Sequence, residues 1–294
     1  MCHPERSKAK SKDLDYFIFI PAYNVQATLA GVLGRISPAV MARAQVLVID
    51  DGSKDDTRGA YENFVGEAGA VPNMNTASPN TKYASHLEYM RFEFNRGYGA
   101  VVKKGISEGL RSGAKYIACL HGDGQYPAEQ LGEFFAHLET AGNSPAGNQP
   151  ENTARNQPEV STPASNQPEL ALVQGSRHAI AGGAKAGNMP LYKRLGGAFL
   201  TALENVAFRQ KLTDRHSGFI VYSADFLKTL DLQKLSPSFD IDLEIISIAD
   251  ARGYRLAELP IPTRYAGEKS NLNVVTYGLR VLRQILRRMC LHKR

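Results

Sequence analysis

The chain has 294 residues, of which 43% are hydrophobic and 22% are charged, and its formal net charge is +6. This composition is ordinary for a soluble protein, and the length suits one large α/β domain or two small ones. The positive charge favours anionic partners such as nucleotide diphosphates or lipid phosphates. The polar, basic N-terminus is not expected to be a secretory signal, and no apolar stretch is expected to span a bilayer.

Strand-like and helix-like patterns alternate in the first half of the chain. Continuous apolar runs at 16–20, 45–49 and 116–120 predict strands buried on both faces, and the alternating pattern at 89–94 predicts another. Helical spacing of apolar residues lies between them, most clearly at 101–111. This order predicts a parallel, doubly wound sheet, on which ligands bind beyond the carboxyl ends of the strands. Polar clusters follow all four predicted strands and therefore fall at that edge.

The composition changes at 141–169, where Asn-Gln-Pro-Glu occurs three times with almost no large apolar residue. Repeated proline in a polar context predicts a disordered surface insertion, with a docking tether as the alternative. A further strand is predicted from 170, followed by helices at 191–208 and 240–251 and a strand at 254–259.

The remaining pattern gives the domain organisation. We expect a basic tail at 1–14, a single domain at 15–272 and a basic amphipathic helix at 273–294. Such a helix would lie on an anionic membrane or pack on its own domain, since both need the same apolar stripe. Three cysteines that are far apart in sequence have no metal-ligand spacing and favour a reduced, cytoplasmic setting.

The most informative polar segment runs from Leu120 to Pro127. Asp123 lies between Gly122 and Gly124 just beyond a predicted buried strand, so its carboxylate can reach a metal ion or a phosphate without steric hindrance. A simple polar turn is the alternative interpretation.

Several motifs in order resemble the family 2 glycosyltransferases of the GT-A fold, and most closely the polyprenyl-phosphate (dolichol-phosphate) sugar synthases. The motifs are Pro21-Ala22-Tyr23-Asn24, Val48-Ile49-Asp50-Asp51-Gly52-Ser53 with Asp55 and Thr57, Asn95-Arg96-Gly97-Tyr98-Gly99, the segment Leu120 to Pro127, Gly175-Ser176-Arg177 and Ser217-Gly218-Phe219. The resemblance implies a Rossmann-like, mostly parallel sheet flanked by helices. It also implies an inverting enzyme that moves a sugar from a UDP- or GDP-linked donor to a polyprenyl phosphate or a glycan, in cell-envelope glycan synthesis.

The resemblance implies a binding site for the nucleotide sugar. Its candidate residues are Pro21, Ala22, Tyr23, Asn24, Val48, Asp50, Asp51, Asn95, Gly97, Gly122, Arg177, Arg264 and Lys269. A carboxylate at Asp50 can accept hydrogen bonds from ribose hydroxyls or a base, whereas N-capping of the next helix is the alternative for both Asp50 and Asp51. Arg177, together with a basic loop containing Arg264 and Lys269, would stabilise charge on the leaving diphosphate. Surface ion pairs are the alternative for these cations.

A divalent cation, Mg²⁺ or Mn²⁺, is implied by the family's Asp-x-Asp motif, which is often followed two residues later by Gln. Asp123 and Gln125 match the second acid and the glutamine, but His121 stands at the position of the first acid. Mg²⁺ prefers oxygen ligands, whereas imidazole suits Mn²⁺ better. Three roles stay open for His121: ligating the metal, hydrogen-bonding the diphosphate, or supporting the loop.

The catalytic groups are less defined by the sequence. The candidates are Asp123 through the metal, and Asp214, Asp240 and Asp242 as bases. A phosphate acceptor needs no strong base, whereas a sugar hydroxyl does. Lys193 and Arg194 could hold an acceptor phosphate.

Departures from the family pattern keep other functions in view. The usual acid after Pro-x-Tyr-Asn is replaced by Val25 and Gln26, and the metal motif lacks one acid. A catalytically impaired binding or scaffold protein is therefore the main alternative. A dinucleotide-dependent oxidoreductase is disfavoured because Val102 occupies a position of the fingerprint that requires a small residue. Nucleic-acid binding is not expected, since the basic residues cluster at the termini without interleaved aromatics.

Overall fold

The fold is taken from a computed structural model of the chain. The residues it describes are 14–69, 81–143, 168–179, 196, 198, 201–202, 205–206, 212–215 and 217–262. Several predictions lie outside these residues, namely those for the N-terminal tail through 13, most of the 141–169 insertion, Lys193, Arg194, Arg264, Lys269 and the C-terminal helix.

One seven-stranded sheet runs through the described part of the chain. Its strands are β1 (Tyr16–Ala22), β2 (Ala44–Asp50), β3 (Leu87–Arg91), β4 (Tyr116–Cys119), β5 (Leu170–Ser176), β6 (Ile220–Ser223) and β7 (Arg255–Pro260), in the order β3-β2-β1-β4-β6-β5-β7. β1 to β4 are mutually parallel, β6 is antiparallel to both β4 and β5, and β7 is parallel to β5. The predicted mostly parallel sheet is confirmed, and the antiparallel β6 is a strand that the sequence pattern did not reveal.

Helices flank the sheet. They are α1 (Leu29–Arg35), α2 (Pro38–Met41), α3 (Thr57–Gly69), α4 (Tyr98–Ser112), α5 (Leu131–Asn143), α6 (Ala224–Lys228) and α7 (Ile241–Ala251), with short 3-10 turns at Thr81–His86, Ala128–Gln130 and Leu232–Lys234. The last turn of α5 extends into the range that the sequence assigned to the insertion. None of the helices in the described ranges is both long enough and apolar enough to cross a membrane.

The core lies on both faces of the sheet, as the continuous apolar strands predict. In β1, Ile18 and Ile20 pack with α1, α2 and α5, whereas Phe17 and Phe19 pack with α4 and α7 on the opposite face. Successive strand residues point to opposite faces, so a strand covered on both sides must be apolar at every position.

Two glycines bring α4 unusually close to the sheet. A Cβ atom at Gly105 would collide with the ring of Phe19, and one at Gly109 would lie 2.8 Å from the side chain of Ile117. Because side chains four residues apart share one helix face, these glycines form a flat strip against β1 and β4. The strip lets α4 pack close to the sheet. Tyr98, the first residue of α4, lies at the carboxyl edge of the sheet.

Candidate active site

The end of β1 joins two polar segments, the β2–α3 turn and the loop after β4. The backbone N–H of Asp51 donates to the carbonyl of Ala22 at 2.8 Å, and the backbone N–H of Gly122 donates to the carbonyl of Pro21 at 3.0 Å. Successive β1 residues therefore hold the β2–α3 turn on one side and the loop after β4 on the other. This arrangement places Asp50, the last residue of β2, and Asp123, in the loop after β4, on either side of the end of β1 at the carboxyl edge of the sheet.

Asp50 is completely buried and holds together the residues around it at this edge. We call Asp50, Ser53, Tyr89 and Arg91 the Asp50 corner. Its Oδ1 accepts the backbone N–H of Ser53 at 2.7 Å, its Oδ2 accepts the hydroxyl of Tyr89 at 2.5 Å, and Arg91 Nη1 lies 3.4 Å from Oδ2. Arg91 also donates to the carbonyl of Ser53 at 2.6 Å. The carboxylate thus fixes a tyrosine and an arginine at the rim, and a direct contact from Asp50 to a ribose remains a prediction.

Asp51 holds the loop that precedes α4. Its two carboxylate oxygens accept the backbone N–H groups of Arg96 and Gly97, at 2.6 and 2.9 Å. Burial raises the pKa of Asp51, and these two backbone donors oppose the rise. Neither Asp50 nor Asp51 caps the following helix, since Asp56 Oδ1 accepts the backbone N–H of Gly59 at the start of α3. The capping interpretation of the two acids is therefore wrong.

The loop after β1 is fastened to the β2–α3 turn by side chains. The Ser53 hydroxyl accepts the backbone N–H of Asn24, whose side-chain oxygen accepts the backbone N–H of Lys54. Asn24 has a φ of 55°, a left-handed conformation that asparagine tolerates better than most residues. Gln26 contributes a further link, because its side-chain oxygen accepts the backbone N–H of Asp56. Gln26, one of the two residues that stand where the family's usual acid is expected, is thus part of this fastening.

The loop after β4 carries the predicted metal motif. Asp123 is partly exposed, and its Oδ1 accepts the backbone N–H of Gln125 at 3.0 Å. The hydroxyl of Thr28 donates to the carbonyl of Gly122 at 2.7 Å, which ties the loop to the start of α1. A Cβ atom at Gly122 would lie 3.1 Å from the carbonyl oxygen of Pro21, so the close approach to β1 depends on glycine. Gly124 has a φ of +78° and completes the turn.

His121 lies in an aromatic enclosure behind Asp123. Its Nε2 is 3.1 Å from the hydroxyl oxygen of Tyr98, and the ring of Tyr126 meets its ring edge-on at a centroid distance of 5.2 Å. A Cβ atom at Gly218 would lie 2.5 Å from Nε2, so only glycine leaves room for the ring. Burial lowers the pKa of His121, while the negative charge of Asp123 opposes the change, and a neutral ring follows at neutral pH.

A buried carboxylate lies on the other side of Tyr98. The Tyr98 hydroxyl donates to Asp242 Oδ2 at 2.7 Å, and the Tyr222 hydroxyl donates to Asp242 Oδ1 at 3.3 Å. Burial raises the pKa of Asp242 to about 6, and the two tyrosine donors oppose the rise. His121, Tyr98, Asp242 and Tyr222 therefore form one hydrogen-bonded chain that spans the β4 loop, α4, α7 and β6.

Arg177 and Asp214 form a two-point ion pair near the same edge. Arg177 Nε and Nη2 donate to the two carboxylate oxygens of Asp214 at 2.6 and 2.9 Å, and the Arg177 side chain is 12% exposed. Glu258 in β7 accepts the backbone N–H groups of Thr213 and Asp214, which holds the acid in place. The positive charge of Arg177 contributes to lowering the pKa of His121, so the arginine lies within electrostatic reach of the β4 loop.

Comparison with known proteins identifies the family. The family described as "Glycosyl transferase family 2" matches residues 17–230, which is most of the chain. The chain belongs to glycosyltransferase family 2. Its fold, its strand-end motifs and the carboxylates at the carboxyl edge are the features that the sequence resemblance predicted.

Two curated relatives extend the likeness of this glycosyltransferase over most of its length. UDP-N-acetylglucosamine–dolichyl-phosphate N-acetylglucosaminyltransferase of Methanococcus voltae is 25% identical over 249 residues, covering 85% of each chain. Undecaprenyl-phosphate mannosyltransferase of Micrococcus luteus is 24% identical over 243 residues, covering 82% of this chain and 80% of the relative. Both names describe sugar transfer involving a polyprenyl phosphate, so the predicted resemblance to that subgroup is confirmed.

A solved structure supports the fold of the glycosyltransferase. Glucosyl-3-phosphoglycerate synthase from Mycobacterium tuberculosis, in complex with Mg²⁺ and UDP, matches with a TM-score of 0.56 at 15% identity. The match covers 93% of this chain and 79% of that chain. At this identity the likeness concerns the fold alone.

The structure divides the predicted site residues of the glycosyltransferase into four groups, apart from Arg177, which pairs with Asp214 as described above. Those whose backbone or side chain lies at the carboxyl edge of β1, β2 and β4 and in the adjoining loops are Pro21, Ala22, Tyr23, Asn24, Asp50, Asp51, Asn95, Gly97, His121, Gly122, Asp123 and Gln125. Val48 does not belong with them, because its side chain is fully buried in the core inside β2. Asp214 and Asp242 are already bound to other side chains, and Asp240 accepts the hydroxyl of Ser236 at the start of α7. Arg264 and Lys269 lie outside the described residues.

Three residues of the site were not predicted as such from the sequence. Tyr98 and Gly218 were quoted only as parts of motifs, and Tyr126 only as part of the β4 loop, yet all three contact His121 or enclose it. The hydroxyl of Tyr126 also accepts the backbone N–H of Gly218 at 3.0 Å. A tyrosine at the first position of α4 directly after Gly97 is the signal that could have directed attention to this enclosure.

Proposed function

We propose that this glycosyltransferase moves a sugar, with inversion, from a UDP- or GDP-linked donor to a polyprenyl phosphate. The observation that carries the proposal is the joining of the Asp50 corner and the Asp123 loop by successive carbonyls of β1. A nucleotide sugar has a nucleoside at one end and a diphosphate at its centre, so it needs two adjacent polar sites of this kind. The relatives named for polyprenyl-phosphate sugar transfer supply the acceptor class.

The nucleoside would lie against the Asp50 corner. Tyr23 and Asn24 lie in the loop above it, and Asp50 holds Tyr89 and Arg91 at its rim. A tyrosine ring offers a flat apolar surface to a base, and carboxylate and amide oxygens accept hydrogen bonds from ribose hydroxyls.

The donor atoms of the β4 loop suit a divalent cation that is shared with the diphosphate. Among the residues described by the structure, no three His, Cys, Asp or Glu side chains come together as a metal-binding group. Asp123 would hold the cation with His121 and Gln125 as candidate partners, and the nucleotide phosphates would complete the oxygen set, as is usual for Mg²⁺ at phosphate sites. Bound there, the cation would neutralise charge on the departing diphosphate. Solved neighbours hold Mg²⁺ or Mn²⁺ together with UDP, which supports this assignment.

The state of the acids favours a phosphate as acceptor over a sugar hydroxyl. A hydroxyl has a pKa far above neutrality and requires a general base, whereas a phosphate is already anionic. Asp214 is held by Arg177 through two hydrogen bonds, and Asp242 receives two tyrosine hydroxyls. Both carboxylates are therefore already engaged in hydrogen bonds, which does not suit a general base. A polyprenyl phosphate as acceptor does not require a general base.

We also propose that the catalytic domain at 15–272 functions without the Asn-Gln-Pro-Glu insertion. We propose in addition that the segment 273–294, which the sequence pattern predicts to be a basic amphipathic helix, gives peripheral contact with a membrane. Deleting 144–167 should leave turnover within about twofold of the full chain. Loss of folding in that variant would show that the insertion packs on the core. Removing 273–294 should reduce co-sedimentation with anionic vesicles, and unchanged binding would leave only a packing role for the helix.

Direct product analysis tests the proposed reaction. The full chain is incubated with UDP- and GDP-sugars, a short polyprenyl phosphate and Mg²⁺ or Mn²⁺, and the glycosylated lipid is detected by mass spectrometry. We expect Asp123→Ala to lower turnover by at least roughly 100-fold, the scale of losing one electrostatic group at a transition state. Asp225→Ala is the matched control, because Asp225 is exposed and forms an ion pair with Lys228 on α6, away from the β4 loop.

Two results would contradict the proposal. Near-normal turnover by Asp123→Ala would remove the metal assignment. Absence of both transfer and nucleotide binding, across all donors and both cations, would support the binding or scaffold alternative. A thermal-shift screen with nucleotides and each cation provides the binding measurement.

A further inference from the structure

The hydrogen-bonded chain behind His121 bears on which ring nitrogen carries the proton. Tyr98 is its central link, because its hydroxyl oxygen lies 2.7 Å from Asp242 Oδ2 and 3.1 Å from His121 Nε2. A second hydroxyl, that of Tyr222, donates to the other oxygen of Asp242. The direction of each hydrogen bond can be assigned from the donors that each group possesses.

An ionised carboxylate only accepts hydrogen bonds, and a tyrosine hydroxyl has a single proton to donate. Since burial raises the pKa of Asp242 to about 6, the group is ionised at about pH 7.5 and accepts the Tyr98 proton. The Tyr98 oxygen then offers only lone pairs to His121. A hydrogen bond between Tyr98 and Nε2 therefore requires that the imidazole donates, and Nε2 must be protonated.

The neutral ring carries one proton, so protonation of Nε2 leaves a lone pair on Nδ1. Nε2 is enclosed by Tyr98 and by the backbone of Gly218, whereas no described residue forms a hydrogen bond with Nδ1. Nδ1 is thus the nitrogen left for a ligand, and it can accept but not donate.

We infer that Tyr98 and Asp242 are positioning residues that hold His121 in its Nε2-protonated form, so that Nδ1 is a ligand for a divalent transition-metal cation. The inference rests on the proposed function for the identity of that cation. Of the three roles that the sequence left open, it selects metal ligation, because an unprotonated Nδ1 has no proton to give to a diphosphate. Metal-binding histidines in general donate their second ring N–H to an acceptor that fixes the tautomer, and here that acceptor is a tyrosine oxygen oriented by a carboxylate.

Nuclear magnetic resonance can measure the tautomer directly. The full chain is labelled with ¹⁵N-histidine, freed of metal with a chelator and held at about pH 7.5, and long-range ¹H–¹⁵N correlations distinguish the two ring nitrogens. His121→Gln assigns the signal by its disappearance. We expect an Nε2-protonated ring in the wild type and in Tyr222→Phe, which removes a hydroxyl from the same carboxylate but keeps Tyr98. Tyr98→Phe should shift the ring towards the Nδ1-protonated form.

Titration with Mn²⁺ alone, followed by electron paramagnetic resonance of the free ion, tests the ligand role. Loss of a group that orients a metal ligand weakens metal affinity by roughly 10- to 100-fold, so Tyr98→Phe should show at least a tenfold loss for Mn²⁺. Mg²⁺ affinity should change much less, because Mg²⁺ depends on oxygen ligands. Tyr222→Phe should retain the wild-type affinity for both cations.

Three results would each overturn the inference. They are an Nδ1-protonated ring in the wild type, a tautomer that is unchanged in Tyr98→Phe, and equal Mn²⁺ affinity in Tyr98→Phe and the wild type. The tautomer measurement needs neither nucleotide nor turnover. Absence of sugar transfer with an Nε2-protonated His121 would therefore count against the proposed function alone, and normal transfer with an Nδ1-protonated ring against this inference alone.

Discussion

Replacing Asp242 by asparagine should remove one defined part of the pH dependence of stability. Asp242 lies in the first turn of α7, is 8% exposed, and accepts hydrogen bonds from Tyr98 and Tyr222. Its pKa in the fold is about 6, raised by burial from a usual value of 3.8. The folded state therefore binds this proton more tightly than the unfolded state does.

The sign and size of the effect follow from this shift. The stability contributed by protonated Asp242 is fully present below about pH 3.8 and is lost as the pH rises through about 6. At about 1.36 kcal/mol per pKa unit, the whole window corresponds to about 3 kcal/mol in the free energy of unfolding. Between about pH 5 and pH 7.5 the loss is about 1.4 kcal/mol. Asparagine has no proton to exchange, so the variant lacks this dependence.

Urea unfolding followed by circular dichroism at a series of pH values measures the effect. The other titrating groups are common to both proteins, so they cancel when the unfolding free energy of the variant is subtracted from that of the wild type. We expect this difference to fall by about 1.4 kcal/mol between about pH 5 and pH 7.5. A flat difference for Asp242→Asn would refute the claim that burial raises the pKa of this acid.

Two further predictions concern glycines. Gly105→Ala should lower the free energy of unfolding by about 1–3 kcal/mol, because the new methyl group collides with Phe19, and thermal denaturation would measure it. Gly31→Ala on α1 is the matched control. A Cβ atom at Gly31 meets no atom within 4 Å, so this substitution should be neutral or stabilising. Equal losses of unfolding free energy in the two variants would contradict the packing argument. Gly218→Ala should lower kcat/KM by at least about tenfold while folding is retained, because the new Cβ atom would displace His121. A tenfold loss corresponds to about 1.4 kcal/mol of activation free energy. An unchanged kcat/KM would show that the position of the His121 ring does not matter to the reaction.

Local sequence information was sufficient for the first half of the sheet. β1, β2 and β4 are almost entirely apolar because both faces are covered, and polar residues lie at or directly after the end of each strand. The prediction was less accurate where the pattern was weaker. The strand expected at 89–94 is β3 at Leu87–Arg91, which leaves Phe94 65% exposed in the following loop. The four residues of β6 carry no periodic signal, and only pairing with β4 and β5 makes them a strand.

The partners of the site residues could not be predicted from the sequence. His121 meets Tyr98, which comes from 23 residues earlier, and Tyr98 meets Asp242, which comes from 144 residues later. Arg177 and Asp214 are 37 residues apart and meet where β5 ends. Side-chain hydrogen bonds of this kind depend on the distance and angle between atoms of separate elements, and no spacing along the chain encodes either quantity.

The sequence by itself determined the family, the mostly parallel sheet and the edge at which the polar loops lie, because strand order and periodicity are local properties of the chain. Only the tertiary structure decided what these polar residues contact. It showed Asp51 holding a loop, Val48 inside the core, and Asp214 paired with Arg177. It also gave His121 a hydrogen-bonded tyrosine neighbour, since packing α4 low over β1 brings Tyr98 to the end of β4. The protonation of a partly buried imidazole depends on such neighbours, and only the packed fold supplies them.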